Sequence, residues 1–286
     1  MLPGTIDLHL HTQCSDGLDT PEQLVSFAIE HGYEAISITD HDTVAGVVRG
    51  IEEAKGTSLE MIPGIELSSM LDGEDIHILG YYIDYMDAGF RERIGFFMEK
   101  RHERAEEIVR CLNMLGLDIS IDTVLAIAHG APIGRPHIAE AMLSENLVES
   151  YNEAFIYYLG ADGPAYVPKY KIVPRDAISL IRENGGVAVL AHPGILSDEN
   201  IIGDLVTSGL QGLEAVHPLH TPQRQDHYRA LASRYGLTVT GGSDWHGASR
   251  RRHFRNISTS DLPPGVIDEL RSRAGEQYAG SERRFP

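Results

Sequence analysis

The stretch IDLHLHTQCSDGLDTPEQLVSFAIEHG, residues 6 to 32, reads as a strand, a loop and a helix in that order. Its opening residues alternate apolar and polar side chains, the period of an extended strand, so His9 and His11 point to one side together. Thr20 before Pro21 has the form of an N-cap followed by a first-turn proline, and Gly32 supplies the helix stop. Such a unit, repeated, makes an α/β fold with a parallel sheet.

The unit does recur. AISITDH (35–41) precedes GVVRGIEEAKG (46–56), and EMIPGIEL (60–67) and IHILGYYI (76–83) stand close together. GVAVLAHP (186–193), LEAVHP (213–218) and LTVTGGSDWH (237–246) alternate with helical patterns at 199–209, 221–236 and 263–275. Seven strands follow from this, and Thr221-Pro222 and Gly236 repeat the cap and stop signals. Between about 90 and 170 the rhythm breaks into helices without strands, the first of them FRERIGFFMEKRHERAEEIVRCLNMLG (90–116). The expected organisation is a barrel formed by residues 1–90 and 170–286, with residues 91–169 inserted as a helical, substrate-binding lobe.

A chain of 286 residues suits this, since barrels often use about 250 residues as one unit. The formal net charge of -18 argues against long nucleic acid held on a basic surface, but not against a small phosphorylated ligand held through metal ions. No run of apolar residues is long enough for a membrane span, and no signal segment opens the chain. Two cysteines are too few for a disulfide framework, and the expected compartment is the cytoplasm.

Most of the strand candidates end in residues able to bind metal. These are His9 and His11, His41 beside Asp40, Glu66, His192, and Asp244 with His246; Asp16 sits in the loop after the first strand, and His77 departs by opening its strand. In α/β barrels the carboxyl ends of the strands form the active face, so closure would bring these residues together. One HxH pair alone is weak evidence, because a buried histidine is more often a hydrogen-bonded core residue. Six histidines and three carboxylates in conjunction are more than one ion accepts; they suit two or three ions such as Mn, Fe or Zn sharing a bridging carboxylate.

DLHLHTQCSDG, ITDHDT, PGIELS, DIHILGY, VLAHPG and GGSDWHG together resemble the PHP (polymerase and histidinol phosphatase) domain family, and within it the stand-alone phosphoesterases that act on nucleotides. The resemblance implies a distorted (β/α)7 barrel with a helical insertion and a trinuclear metal site. Carried over by position, it implies one ion on His9, His11, Glu66 and Asp244. A second would sit on His77, His192 and the shared Glu66, and a third on Asp16, His41 and His246.

Several divalent ions in one pocket can acidify a water and clamp the oxygens of a phosphoryl group, which points to phosphate ester hydrolysis. Arginines should join them. Arg101 and Arg104 lie three apart on one helical face, and Arg135 stands at a helix start between Gly134 and Pro136. His220, after a strand end, could bond a phosphate or protonate the leaving oxygen, whereas His217 reads as structural. Asp40 is expected to orient a histidine ring or a water, and Trp245 to point away from the ions. His137, Lys169 and Lys171 read as structural or solvated, Cys14 as a loop residue, and histidines 31, 102, 129, 227 and 253 carry no role.

The expected activity is a phosphomonoesterase on small nucleotides, a 3',5'-nucleoside bisphosphate or a 5'-monophosphate. The alternative is a short-oligonucleotide 5' to 3' exonuclease or a cyclic-phosphate phosphodiesterase. A histidinol-phosphate-type phosphatase, a polymerase-associated module and a metal-binding protein without turnover rank lower. An amidohydrolase ranks lower too, because no strand end offers a metal-bridging lysine.

Overall fold

The structure is a computed structural model that describes residues 5–168, 170, 172–247, 262–263 and 265–275. Seven strands hydrogen-bond in sequence order: β1 (Thr5–Leu10), β2 (Tyr33–Ile38), β3 (Glu60–Leu71), β4 (Glu74–Tyr81), β5 (Val187–Leu190), β6 (Gly212–Val216) and β7 (Thr238–Gly241). The helices are α1 (Pro21–Glu30), α2 (Ala45–Ala54), α3 (Ala88–Met114), α4 (Ile121–Ala128), α5 (Arg135–Ser144), α6 (Tyr151–Ala154), α7 (Pro174–Glu183), α8 (Ile201–Thr207), α9 (Pro222–Tyr235) and α10 (Val266–Arg273). The first and last strands meet through a parallel bridge between Leu10 and Trp245, with Asp244 N–H donating to His9 O at 2.8 Å and His11 N–H to Trp245 O at 2.9 Å. The fold is a distorted (β/α)7 barrel.

Local signals act as the sequence requires. Thr20 and Thr221 accept hydrogen bonds from the backbone amides of Gln23 and Arg224, ahead of prolines that cannot donate. Gly236 ends α9 in the left-handed region at φ 66°. At the seam, a Cβ on Gly242 would stand 2.5 Å from His9 N, so only glycine lets β7 approach β1 this closely.

One strand runs against the rest. β4 pairs antiparallel with both β3 and β5, while the other ladders are parallel. The start of β4 therefore lies at the rim where the parallel strands end, which explains why His77 opens its strand instead of closing it. β3 is also longer than the pattern suggests: it continues past Glu66 to Leu71, so Glu66 is a mid-strand residue.

Ile6, Leu8, Ile62, Leu79, Tyr81 and Val189 come from four strands and form one buried cluster below the rim. Tyr81, fully buried, donates its hydroxyl to Leu8 O at 2.9 Å. A second, separate core is built by the segment after β4, from residues such as Ala105, Ile108, Leu112, Ile138, Met142 and Leu159. α3 joins the helical core to the barrel: Phe90 and Ile94 pack into another barrel cluster with Ile65, Ile78 and Leu190, and Ile108 and Leu112 into the helical layer. No described helix is long and apolar enough to cross a membrane.

Candidate metal centre at the barrel rim

Nine side chains named from the sequence converge on the rim, from all the strands but β6. Two carboxylates organise them. Glu66 Oε2 lies 3.4 Å from His9 Nε2, 3.2 Å from His11 Nε2 and 3.0 Å from His41 Nδ1, while its Oε1 lies 2.9 Å from His77 Nδ1 and 3.2 Å from His192 Nε2. Asp244 Oδ1 lies 3.4 Å from His11 Nε2 and 3.3 Å from His246 Nδ1. His246 Nε2 is 3.2 Å from Asp16 Oδ1. His9, His11 and Asp244 form one set with ligand atoms mutually within 4.8 Å; His41, Glu66 and His77 form another, and His11, Asp16, His41 and His246 a third.

Such a cluster is short of protons. His9 Nε2 and His11 Nε2 face each other at 3.1 Å, and Glu66 Oε2, His77 Nε2 and His192 Nδ1 are buried without a hydrogen-bond partner. Burial alone would lower the pKa of His11, yet the carboxylates of Asp244 and Glu66 beside it overcome this and push the ring up to about 10, so that without a cation a proton takes the cation's place. Burial also opposes ionisation of Glu66, but the surrounding histidines hold its carboxyl well below the usual range. His41 goes the other way, to about 3, because burial dominates there. Buried lone pairs from imidazole and carboxylate, crowded together and lacking donors, are the donor set that divalent cations satisfy.

The backbone is strained here. Asp42 (φ 55°), His192 (φ 25°) and Asp244 (φ 52°) adopt left-handed conformations that non-glycine residues avoid, at a cost of roughly 1–3 kcal/mol each. The period-two argument for Asp244 and His246 is therefore incomplete, since Asp244 lies beyond β7 and reaches the rim through a turn. Trp245 does point away, donating Nε1–H to Asp19 Oδ2 at 2.7 Å.

Sequence reasoning missed two residues. Glu214, fully buried on β6, takes His9 Nδ1 at 3.0 Å on one oxygen and the His192 amide at 2.7 Å on the other. His217, read as structural, places Nε2 3.3 Å from Asp244 Oδ2 and groups with His9 and Glu214. A lone glutamate in GLEAV was the available signal, because a strand apolar on both faces can hold a carboxylate only where a partner awaits it.

Other readings change. His220 contacts no rim carboxylate: its Nδ1 meets Ala215 O at 2.9 Å and its Nε2 accepts Gly194 N–H at 3.0 Å, so both ring nitrogens serve the backbone and neither is free for a phosphate or a leaving group. Asp40 orients no histidine. It accepts from Thr12 N–H at 2.7 Å, Thr12 Oγ1 at 2.7 Å and Ser15 Oγ at 2.6 Å, which pins the loop leading to Asp16. His137 caps α5 through Gly134 N–H. Lys169, Lys171 and His253 lie outside the described residues.

Of the three arginines named from the helical segment, Arg101 meets the rim directly, through Asp42 and Ser68. Arg101 Nε donates to Asp42 Oδ2 at 2.8 Å, and its Nη2 to the same oxygen and to Ser68 Oγ, so Asp42 already neutralises it. Arg104 is only 7% exposed; its Nε donates to Val167 O at 2.7 Å while Nη2 has no partner. Burial, with Arg135 and Arg101 nearby, lowers Arg104 to about 10. Arg135 donates to Leu159 O at 3.0 Å and lies over the rings of Phe155 and Tyr166.

Comparison with known proteins identifies the family. The model of the PHP domain matches residues 7–180. The chain is 34% identical over 247 residues to the phosphoribosyl 1,2-cyclic phosphate 1,2-diphosphodiesterase of Eggerthella lenta, covering 84% of this chain and 94% of that one. It is 32% identical to the 5'-3' exoribonuclease Rnm of Escherichia coli, covering 84% of each. To the 3',5'-nucleoside bisphosphate phosphatase of Chromobacterium violaceum it is 29% identical, covering 91% and 93%. A crystal structure from Bifidobacterium adolescentis, assigned provisionally as a metal-dependent phosphoesterase, superposes with a TM-score of 0.84 at 28% identity, covering 96% and 98%. With six of the nine converging residues inside the matched segment and the others set on the same rim by the rest of the barrel, the chain belongs to the PHP domain family.

Proposed function

We propose that the protein hydrolyses phosphate monoesters of small nucleotides, a 3',5'-nucleoside bisphosphate or a 5'-nucleoside monophosphate, using divalent ions held at the barrel rim. The observation that carries this is the convergence of six histidines with Asp16, Glu66 and Asp244 into overlapping clusters rich in lone pairs and poor in protons. We assign three ions, manganese first, with Glu66 shared between two of them; His9, His11 and Asp244, then His77 and His192, then Asp16, His41 and His246 complete the sets. Bound there, such ions acidify water and neutralise the oxygens of a phosphoryl group.

The chain's own residues supply the rest. Glu214 fixes the ring of His9 by taking its Nδ1, leaving Nε2 directed at the cluster. Asp40 holds the loop that presents Asp16. Arg104 and Arg135 form no ion pair among the described residues and retain their charge for a phosphate, while Arg101 positions Asp42 beside His41. The helical segment 91–169 acts as the substrate-binding lobe. Two free cysteines agree with a cytoplasmic setting.

Cleavage of short RNA or of a cyclic phosphate would use the same ions, and the similarity to an exoribonuclease and to a cyclic-phosphate diphosphodiesterase keeps both as the second reading. Phosphate release from nucleoside bisphosphates, monophosphates, histidinol phosphate, a phosphoribosyl cyclic phosphate and short RNA, with Mn supplied, tests the proposal. Release only from the bisphosphate or monophosphate is expected; silence on all of them overturns the assignment. Replacing His192 or Asp244 by alanine should abolish turnover and lower bound metal while the protein stays folded.

A further inference from the structure

Two large exposed aromatics that neither core uses meet at the outer edge of α3, Phe96 on the helix and Tyr170 on the segment leading to α7. Phe96 is 41% exposed and Tyr170 is 51% exposed, and their rings meet edge to face with centroids 5.3 Å apart. Phe97 lies behind Tyr170 at 6.5 Å, and Lys100 Nζ stands 5.5 Å from the centre of the Phe96 ring. Single exposed aromatics are ordinary on a soluble protein, but Tyr170 of this pair borders a charged recess.

The recess, about 30 Å³, is lined by Phe97, Lys100, Arg101, Arg104 and Tyr170 on one side and by Asp42 and Ser68 on the other. Asp42 follows His41 directly, and Ser68 faces His77 across the β3–β4 ladder. The recess thus runs from the edge of the metal centre to the aromatic pair. It is too small for a base and wide enough for an anionic oxygen or a water. Arg104, nine-tenths buried with Nη2 unpartnered, provides the charge inside it.

Lys100 and Arg101 are held by Glu103 and Asp42, which leaves Arg104 as the unpaired cation beside the aromatic faces. Such a pairing suits a nucleotide, since the cation takes a phosphate oxygen and any base stacks because every base has a π-face. We propose that Phe96 and Tyr170 form a stacking shelf for the nucleobase of the substrate, with Arg104 below it taking a phosphate oxygen. The inference rests on the phosphoesterase reading of the rim and narrows its substrate class. A phosphorylated sugar without a base gains nothing from the shelf; a nucleotide does, and purines and pyrimidines are both accepted.

The test compares 2'-deoxyadenosine 3',5'-bisphosphate with its abasic analogue, 1,2-dideoxyribose 3,5-bisphosphate, on the Mn-loaded full chain. The intact protein should prefer the nucleotide roughly five- to a hundredfold in kcat/KM, the range for one base stacked on an aromatic. Phe96→Ala and Tyr170→Ala should erase most of that preference through KM, with kcat and the abasic substrate unaffected, and Tyr170→Phe should keep it. No preference in the intact protein, or a preference that both alanine variants retain, overturns the shelf. If neither substrate is hydrolysed, the phosphatase reading fails separately, and calorimetric binding of adenosine 5'-monophosphate decides: weaker binding in both alanine variants supports the shelf, and equal binding overturns it.

Discussion

Replacing Glu214 by glutamine changes one oxygen for an NH2 group in a fully buried position, and its consequences follow from hydrogen-bond bookkeeping. The native carboxylate accepts twice, from His9 Nδ1–H at 3.0 Å and from His192 N–H at 2.7 Å. A glutamine accepts on one side only. If its oxygen keeps the His192 amide, its NH2 faces His9 Nδ1, which must become the acceptor, and the ring proton moves to Nε2, the atom 3.1 Å from His11 Nε2 and 3.4 Å from Glu66. If the amide flips, a buried backbone N–H at a left-handed residue loses its partner, costing about 1–3 kcal/mol. Either outcome removes a lone pair or loosens His192. Loss of an outer partner of this kind lowers metal affinity about 10- to 100-fold, or about 1.4–2.7 kcal/mol. Competition against a chelating dye measures it, with bound metal counted after desalting. Glu214→Gln, although nearly isosteric, should bind Mn no better than Glu214→Ala. Wild-type affinity in the glutamine variant would refute the reasoning.

Three further outcomes are expected. Gly242→Ala forces a methyl against the His9 backbone and should destabilise the metal-free protein by about 1–3 kcal/mol in urea, with less metal bound; an unchanged midpoint would mean the seam can relax. Arg104→Met removes a buried, unpaired cation, so the metal-free protein should become no less stable while KM for the nucleotide rises roughly tenfold or more, a trade-off read by thermal melts and kinetics together. The Glu22 carboxyl is held down at about 2 by its paired hydrogen bonds to Arg49. A depressed carboxyl contributes stability above its unfolded pKa, near 4.3, and loses it as pH falls through the folded value. The difference between Glu22→Gln and the parent in unfolding midpoint should accordingly be present at pH 7, small because both partners are exposed, and gone near pH 2.

The strands, their order and the nine converging residues were legible because short-range periodicity marks strands, and caps and glycines mark where helices begin and end. Direction was not. The alternation in IHILGYYI is the same whether the strand runs up or down, and only its neighbours, β3 and β5, decide. His220 and Glu214 failed in opposite ways. His220 follows a strand end as a ligand would, but which atoms meet its ring depends on the turn at Gly194, far away in sequence. Glu214 looked ordinary because the pattern of five residues does not reveal that both faces of β6 are covered. Asp40 illustrates the same limit, since its partners Thr12 and Ser15 lie on another strand's loop.

The reversed strand decides where the protein could acquire a roof. After an upward strand the next helix descends the outside of a barrel, away from the reactive rim. β4 descends instead, so α3 starts at the floor, where Tyr82 OH meets Glu60 at 3.0 Å, and climbs. The 13 steps from Ala88 to Arg101 cover about 20 Å at 1.5 Å per residue, enough to bring Arg101 level with Asp42 and Ser68 at the rim. The remaining 13 residues to Met114 overshoot it by a similar length and become the first beam of the helical layer. A single change of strand direction thus turns an ordinary connector into a mast, and places any enlargement of that connector above the chemistry.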